Sequence, residues 1–188
     1  MTTLSPDMEI SEELVRKFDK LGPRYTSYPT ADRFHTAFTE QTYRSYLDLR
    51  AGKANNPPLS IYIHLPFCES LCYFCACNKI ITKDHERVGE YLRYLDKEMA
   101  LVASRIGKVR KTVQLHLGGG TPTFFNADEL RQVMAMVRNH FEFTPDAELG
   151  VEIDPRTVQT GTLTMLAELG SNRNSFGVQD LDPAVQQA

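Results

Sequence analysis

From Leu59 onward, short apolar runs alternate with longer amphipathic ones, a pattern that predicts successive parallel βα units. Strands are expected over Leu59–Leu65, Thr112–Leu117 and Glu148–Ile153, and near Arg173–Val178. The intervening helices fall at about His85–Ile106, Asn126–Phe141 and Thr160–Leu169, the last stopped by Gly170. The preceding residues read differently. An amphipathic helix is expected at about Ser11–Leu21, then a Pro- and Tyr-rich segment over residues 23–30, a second helix at about Thr39–Ala51, and a linker in Ala54-Asn55-Asn56-Pro57-Pro58. The organisation predicted is therefore an extension and linker over residues 1–58 and an α/β domain over residues 59–188. Four parallel strands do not close a barrel, and an open sheet leaves an unpaired edge.

Composition narrows the class. The chain has 188 residues, of which 41% are hydrophobic and 24% charged, values typical of a soluble globular protein of one ordinary domain. No apolar stretch approaches the roughly 20 residues of a membrane span. The formal net charge of −3 offers no general attraction for nucleic acid or anionic lipid, so an anionic substrate must be met by locally placed Arg and Lys. Met1 to Ile10 has no apolar core behind a basic patch, so it does not read as a signal peptide. All four Cys lie in one segment, which agrees with a reducing compartment and a cytoplasmic location.

That segment, Cys68-Glu69-Ser70-Leu71-Cys72-Tyr73-Phe74-Cys75-Ala76-Cys77, carries the chemistry. CxxxCxxC supplies three closely spaced thiolates, one fewer than a [4Fe–4S] cluster takes when it only carries electrons. Three ligands leave one iron open to chelate something else. Cys77 follows Cys75 too closely for both to reach separate irons of one cluster, and reads as a non-ligand. Two other readings stay open on the spacing alone. Structural zinc ordinarily uses two separated Cys pairs, or one pair with distant His, and disulfides suit small secreted scaffolds.

CxxxCxxC with an aromatic residue before the third Cys resembles the radical S-adenosylmethionine (SAM) enzymes. A narrower resemblance, to the oxygen-independent coproporphyrinogen III oxidases (coproporphyrinogen dehydrogenases), rests on five motifs in order. These are Pro23-Arg24-Tyr25-Thr26-Ser27-Tyr28-Pro29-Thr30, Tyr62-Ile63-His64-Leu65-Pro66-Phe67-Cys68, Cys72-Tyr73-Phe74-Cys75-Ala76-Cys77-Asn78-Lys79, Gly118-Gly119-Gly120-Thr121-Pro122-Thr123 and Gly177-Val178-Gln179-Asp180. The fold implied is a partial (β/α)6 barrel, of which this chain would supply about four βα units behind an N-terminal helical extension, as the N-terminal portion of a longer enzyme.

The resemblance also implies roles. Cys68, Cys72 and Cys75 would hold the cluster, with SAM chelating the open iron. Gly119, Gly120 and Thr121 would meet the methionine part of SAM, Glu152 its ribose, and Tyr62, Phe74 and Gln179 other parts of it. Cys77 would act as a proton or hydrogen donor or tune the site, and His64 would hydrogen-bond near the cluster. Arg24 and Tyr25 would close over the site or meet substrate carboxylates. On the residues alone, Gly118–Gly120 reads rather as a tight strand-to-helix turn ahead of Thr121-Pro122, and Glu152 equally as a solvated carboxylate.

The reaction implied converts two propionates of coproporphyrinogen III to vinyl groups, giving protoporphyrinogen IX, through a 5′-deoxyadenosyl radical made from SAM. The implied partners are that tetrapyrrole and a reductant such as flavodoxin or a reductase, the full-length enzyme being a monomer. The 188-residue chain alone is expected to hold a cluster but to show little decarboxylase activity. Two alternatives from other classes are a related haem chaperone and a non-catalytic metal-binding fragment. The first ordinarily lacks both the Pro23–Thr30 segment and the CxC ending. Departures from the resembled pattern are Ala76, Leu117 and the polar Asn174 in the fourth strand.

Overall fold

The computed structural model describes residues 11–19, 30–52, 57–73, 75–107, 111–156 and 158–187. These divide into two compact units, Met1–Thr42 and Tyr43–Ala188. In the first, helix α1 spans Glu12–Phe18, where Ser11 caps it by accepting from the Leu14 amide at 3.2 Å. It buries none of its residues. The expected Pro- and Tyr-rich segment, with Arg24 and Tyr25, lies outside the described residues.

The second unit holds most of helix α2 (Glu40–Ala51), then strand β1 (Leu59–Leu65), the two-residue strands β2 (Phe67–Cys68) and β3 (Ile80–Ile81), helix α3 (Glu86–Ile106), strand β4 (Lys111–Gly119), helix α4 (Ala127–His140), strand β5 (Glu142–Ile153), helix α5 (Thr160–Glu168), strand β6 (Arg173–Phe176) and helix α6 (Pro183–Gln187). The main sheet has the order β1-β4-β5-β6 and every pairing is parallel. Helical connections between parallel neighbours are what the alternating pattern dictates.

Period two sorts each strand into two faces. Leu59, Ile63 and Leu65 of β1, Leu115 and Leu117 of β4, and Val151 and Ile153 of β5 are buried in one core. Against them pack Val88, Leu92, Leu95 and Met99 of α3, Leu130, Val133, Met134 and Val137 of α4, and Met165 and Leu166 of α5. Each such side chain contributes roughly 1.5–3 kcal/mol on full burial. Helix α4 starts cleanly because Asn126 and Glu129 form a reciprocal capping box. The opposite sheet face carries Ser60, Tyr62 and His64, Gln114, His116 and Gly118, and Glu148, Gly150 and Glu152.

Strand β5 differs from expectation by beginning at Glu142 rather than Glu148. Its register with β4 jumps from Thr112↔Phe143 to Gln114↔Glu148, so residues 144–147 stand opposite Val113. Pro145 interrupts the apolar pattern there and has no N–H to give the ladder. Strand β6 ends at Phe176, short of the expected Val178. Its Asn174 is exposed, so the polar residue in that strand is not buried.

Candidate functional site

The cysteine segment is closed at its base. Phe67 and Cys68 of β2 pair in parallel with Ile80 and Ile81 of β3, the Ile80 amide donates to Pro66 O at 2.7 Å, and the Thr82 amide donates to Cys68 O at 2.9 Å. Residues 69–79 thus leave and return at one point beyond the carboxyl end of β1. Within the loop the Cys75 amide donates to Cys72 O at 3.1 Å. The Lys79 ammonium donates to the carbonyls of Cys75 (3.3 Å) and Cys77 (3.4 Å).

All four cysteines are free thiols; Cys68 is buried, Cys72 and Cys75 are half-buried, and Cys77 is exposed. Two sulfurs already receive donors, Cys68 Sγ from the Thr121 hydroxyl at 3.5 Å and Cys75 Sγ from the Cys77 amide at 3.4 Å. Such donors favour thiolate ligands. Among the described residues no three His, Cys, Asp or Glu side chains gather closely enough to hold a single metal ion. A four-iron cluster takes each thiolate on a different iron and does not need that convergence. On donor type and spacing in one segment, Cys68, Cys72 and Cys75 fit a cluster.

The glycine run meets the loop from below. Strand β4 extends to Gly119, whose φ of +121° is a conformation that side chains rarely adopt. A Cβ on Gly120 would stand 2.7 Å from Phe67 O and 2.8 Å from Pro66 O. The Gly120 amide donates to Leu65 O at 2.8 Å, and the Thr121 amide to Phe67 O at 2.9 Å. The small residues therefore let two stretches of main chain lie against each other. Any further contact they make runs through their own backbone groups.

On the polar sheet face, Glu152 receives the Gly119 amide on Oε2 at 3.3 Å and lies 3.1 Å from His116 Nε2 through Oε1. Tyr62 stacks on His116, ring centroids 5.9 Å apart and planes 15° from parallel. The Tyr62 hydroxyl lies 3.1 Å from His64 Nδ1, and His64 Nε2 lies 2.7 Å from Asn78 O in the cysteine loop. Burial, then the charges of Glu152 and Cys77, push the Tyr62 phenol up from its ordinary value. The Cys77 thiol is pushed up as well, first by burial and next by its hydrogen bond with Cys75, with Glu152 adding and Lys79 opposing.

Towards the amino ends of the strands lies a separate polar rung. The Ser60 hydroxyl donates to Gln114 Oε1 (2.7 Å), Gln114 Nε2 donates to Glu148 Oε1 (2.8 Å), and Arg173 donates to the same oxygen (2.7 Å). These donors, Gln114 first and Arg173 next, hold the Glu148 carboxyl below the usual carboxylate range.

The structure thus gathers Tyr62, His64, Cys68, Cys75, Cys77, Gly119, Thr121 and Glu152 at the carboxyl ends of the strands, with Gly120 beneath. That is where parallel α/β sheets build their sites. Gln179 is not drawn in: it lies in the exposed segment beyond β6, its amide folded over Gly177. Phe74 lies outside the described residues. Three participants escaped the sequence reading: His116, Lys79 and Tyr91, whose phenol donates to the His64 carbonyl. His116 shares the parity of Gly118 in Leu115-His116-Leu117-Gly118, a signal that it faces the site.

The family model of the radical SAM superfamily matches residues 62–188. The chain belongs to that superfamily. The matched residues of this radical SAM chain begin at Tyr62 and take in the whole cysteine segment. Curated relatives named oxygen-independent coproporphyrinogen III oxidase include those of Pseudomonas aeruginosa, 45% identical over 94% of this chain and 38% of the relative, and Escherichia coli, 42% identical over 93% of this chain and 37% of the relative. A third, from Synechocystis, is 40% identical over 100% of this chain and 40% of its own length. Among solved structures, coproporphyrinogen III oxidase from Escherichia coli, described as a radical SAM enzyme, superposes with a TM-score of 0.79 at 39% identity, over 94% of this chain and 38% of that one. The radical SAM chain thus spans well under half the length of these relatives. Its parallel α/β sheet is part of a radical SAM barrel.

Proposed function

We propose that this chain carries the SAM-cleaving site of an oxygen-independent coproporphyrinogen III oxidase, with residues 1–58 as the extension and 59–188 as barrel. The observation that carries the reading is that Cys68, Cys72 and Cys75 share one segment whose base is held by Thr121, through its amide to Phe67 O and its hydroxyl to Cys68 Sγ. Cys68, Cys72 and Cys75 would hold a [4Fe–4S] cluster. When bound, the cluster would supply an electron and SAM a carbon-centred radical that takes a hydrogen atom from a substrate propionate, which then loses carbon dioxide and passes one electron to an external acceptor to become a vinyl group.

The chain's own groups have narrower tasks. Lys79 holds the loop by two main-chain carbonyls. Gly119, Gly120 and Thr121 would meet the methionine part of SAM, backbone carbonyls accepting from its ammonium group. Glu152 accepts from ribose hydroxyls, and Tyr62 provides an aromatic wall beside it. Phe74 is assigned to the same cofactor, and Gln179 would join it only from the exposed segment beyond β6. His64 holds the returning end of the loop through Asn78. Cys77, whose thiol is pushed up by burial and its hydrogen bond with Cys75, would donate a proton or hydrogen or tune the site. Coproporphyrinogen III is the substrate, and a low-potential protein such as a flavodoxin or a reductase the electron source.

Anaerobic iron–sulfur reconstitution, followed by electron paramagnetic resonance of the reduced sample with and without SAM, tests this. A [4Fe–4S] signal that changes on adding SAM and is absent from Cys72→Ala is the expected result. A zinc-loaded protein, or a cluster indifferent to SAM, would overturn the reading.

A further inference from the structure

We infer that His116 is a positioning residue for Glu152: its Nε2–H fixes the carboxylate so that the remaining lone pairs face a cofactor ribose. The inference rests on the assignment of Glu152 to ribose recognition and extends it to a residue that makes no cofactor contact of its own.

Three observations carry it. An ionised carboxylate only accepts, so the 3.1 Å approach of His116 Nε2 to Oε1 places the imidazole proton on Nε2. The Gly119 amide takes Oε2 at 3.3 Å. A carboxylate offers about four lone-pair sites; with one on each oxygen engaged by β4, the outer edge is left for two vicinal hydroxyls. Glu152 keeps 45% of its side chain exposed, against 27% for His116, so the carboxylate is the more open member of the pair.

Room for the pair has been cleared on both sides. A Cβ on Gly150 would stand 2.8 Å from His116 Nδ1, and one on Gly118 would stand 2.9 Å from Tyr62 Cε2 and 3.0 Å from Glu152 Cδ. Cβ atoms do not tolerate such distances to rings held by a strand. On its β1 side the ring stacks on Tyr62, and Tyr62 in turn reaches His64. An imidazole so confined can aim a proton at one point, which is what preorganisation of a flexible glutamate requires.

The test measures equilibrium binding of SAM and of its 2′,3′-dideoxy analogue to the cluster-loaded protein, with the cluster oxidised and no reductant present, so that neither is cleaved. The native protein is expected to prefer SAM by about tenfold or more, as sites built to bond a hydroxyl do. Glu152→Ala should abolish that preference. His116→Ala and His116→Asn, whose amide overlays Nδ1 and stops short of Glu152, should lose most of it at unchanged iron content. His116→Gln, whose amide overlays Nε2, should retain it. Preference kept in Glu152→Ala would overturn the ribose assignment itself. Preference lost in Glu152→Ala but kept in both short His116 variants, or lost in His116→Gln as fully as in them, would overturn only the role given to His116.

Discussion

The phenol of Tyr91, on α3, donates to the main-chain carbonyl of His64, the penultimate residue of β1. A helix side chain thereby holds the strand that leads into the cysteine loop. Tyr91→Phe removes one hydrogen bond to a covered carbonyl and should cost about 1 kcal/mol in denaturant unfolding. Burial, aided by the charges of Glu98 and Tyr62, raises the Tyr91 phenol to about 12. A folded value above the unfolded one, about 10, means that its contribution is full below pH 10 and is lost as pH climbs towards 12. The alkaline limb of the stability curve should be shallower in the variant, and identical limbs would refute the assignment.

Gly120→Ala should disrupt the loop base. The added Cβ meets main-chain carbonyls of Pro66 and Phe67, which cannot rotate aside. Overpacking of this kind typically costs 1–3 kcal/mol. Iron per chain after reconstitution should fall well below that of the native protein, while far-ultraviolet circular dichroism stays helical. Native iron content would show that the contact is dispensable.

Gly150→Ala is expected to push the His116 ring out of line and to destabilise by about 1–3 kcal/mol. Combined with His116→Ala, the clash has no partner, so the two costs should not add. Additive values in a double-mutant cycle would mean that Gly150 matters for some other reason.

The four cysteines should divide three to one. Alanine at Cys68, Cys72 or Cys75 should abolish the cluster, measured as iron and acid-labile sulfide, whereas Cys77→Ala should retain it. A cluster lost with Cys77 and kept without Cys75 would reassign the third ligand.

Glu148 links the polar rung to stability at low pH. Its carboxyl is held below the usual range by Gln114 and then Arg173. With the folded value depressed, the stabilisation is present above the unfolded value of about 4.3 and disappears as pH falls through the folded one. Glu148→Gln should therefore cost stability near neutrality and progressively less below about pH 4, checked by urea unfolding across that range. A gap that widens on acidification would contradict the sign.

Much of the fold was legible from local pattern. Strand β1 occupies the predicted Leu59–Leu65, and α3 and α4 lie within one residue of their expected ends, because apolar periodicity and caps such as Asn126 act over a few residues. β2 and β3 are two residues each, too short for any periodic signal. They exist because the loop's two ends meet through Ile80 and Pro66. The true start of β5 was hidden by Pro145 and by a register jump that only pairing with β4 makes visible.

The sequence by itself determined the α/β alternation, the three-thiolate spacing and the face on which Glu152 stands, since each is written in residue type and short-range period. Tertiary structure decided that Glu152 faces His116 and the Gly119 amide, that Gly150 clears the imidazole, and that Ser60, Gln114, Glu148 and Arg173 form one rung. Those neighbours lie tens of residues apart in the chain. Their meeting depends on strand order and register, which are set by how the apolar faces of the strands and helices pack together and not by any local stretch.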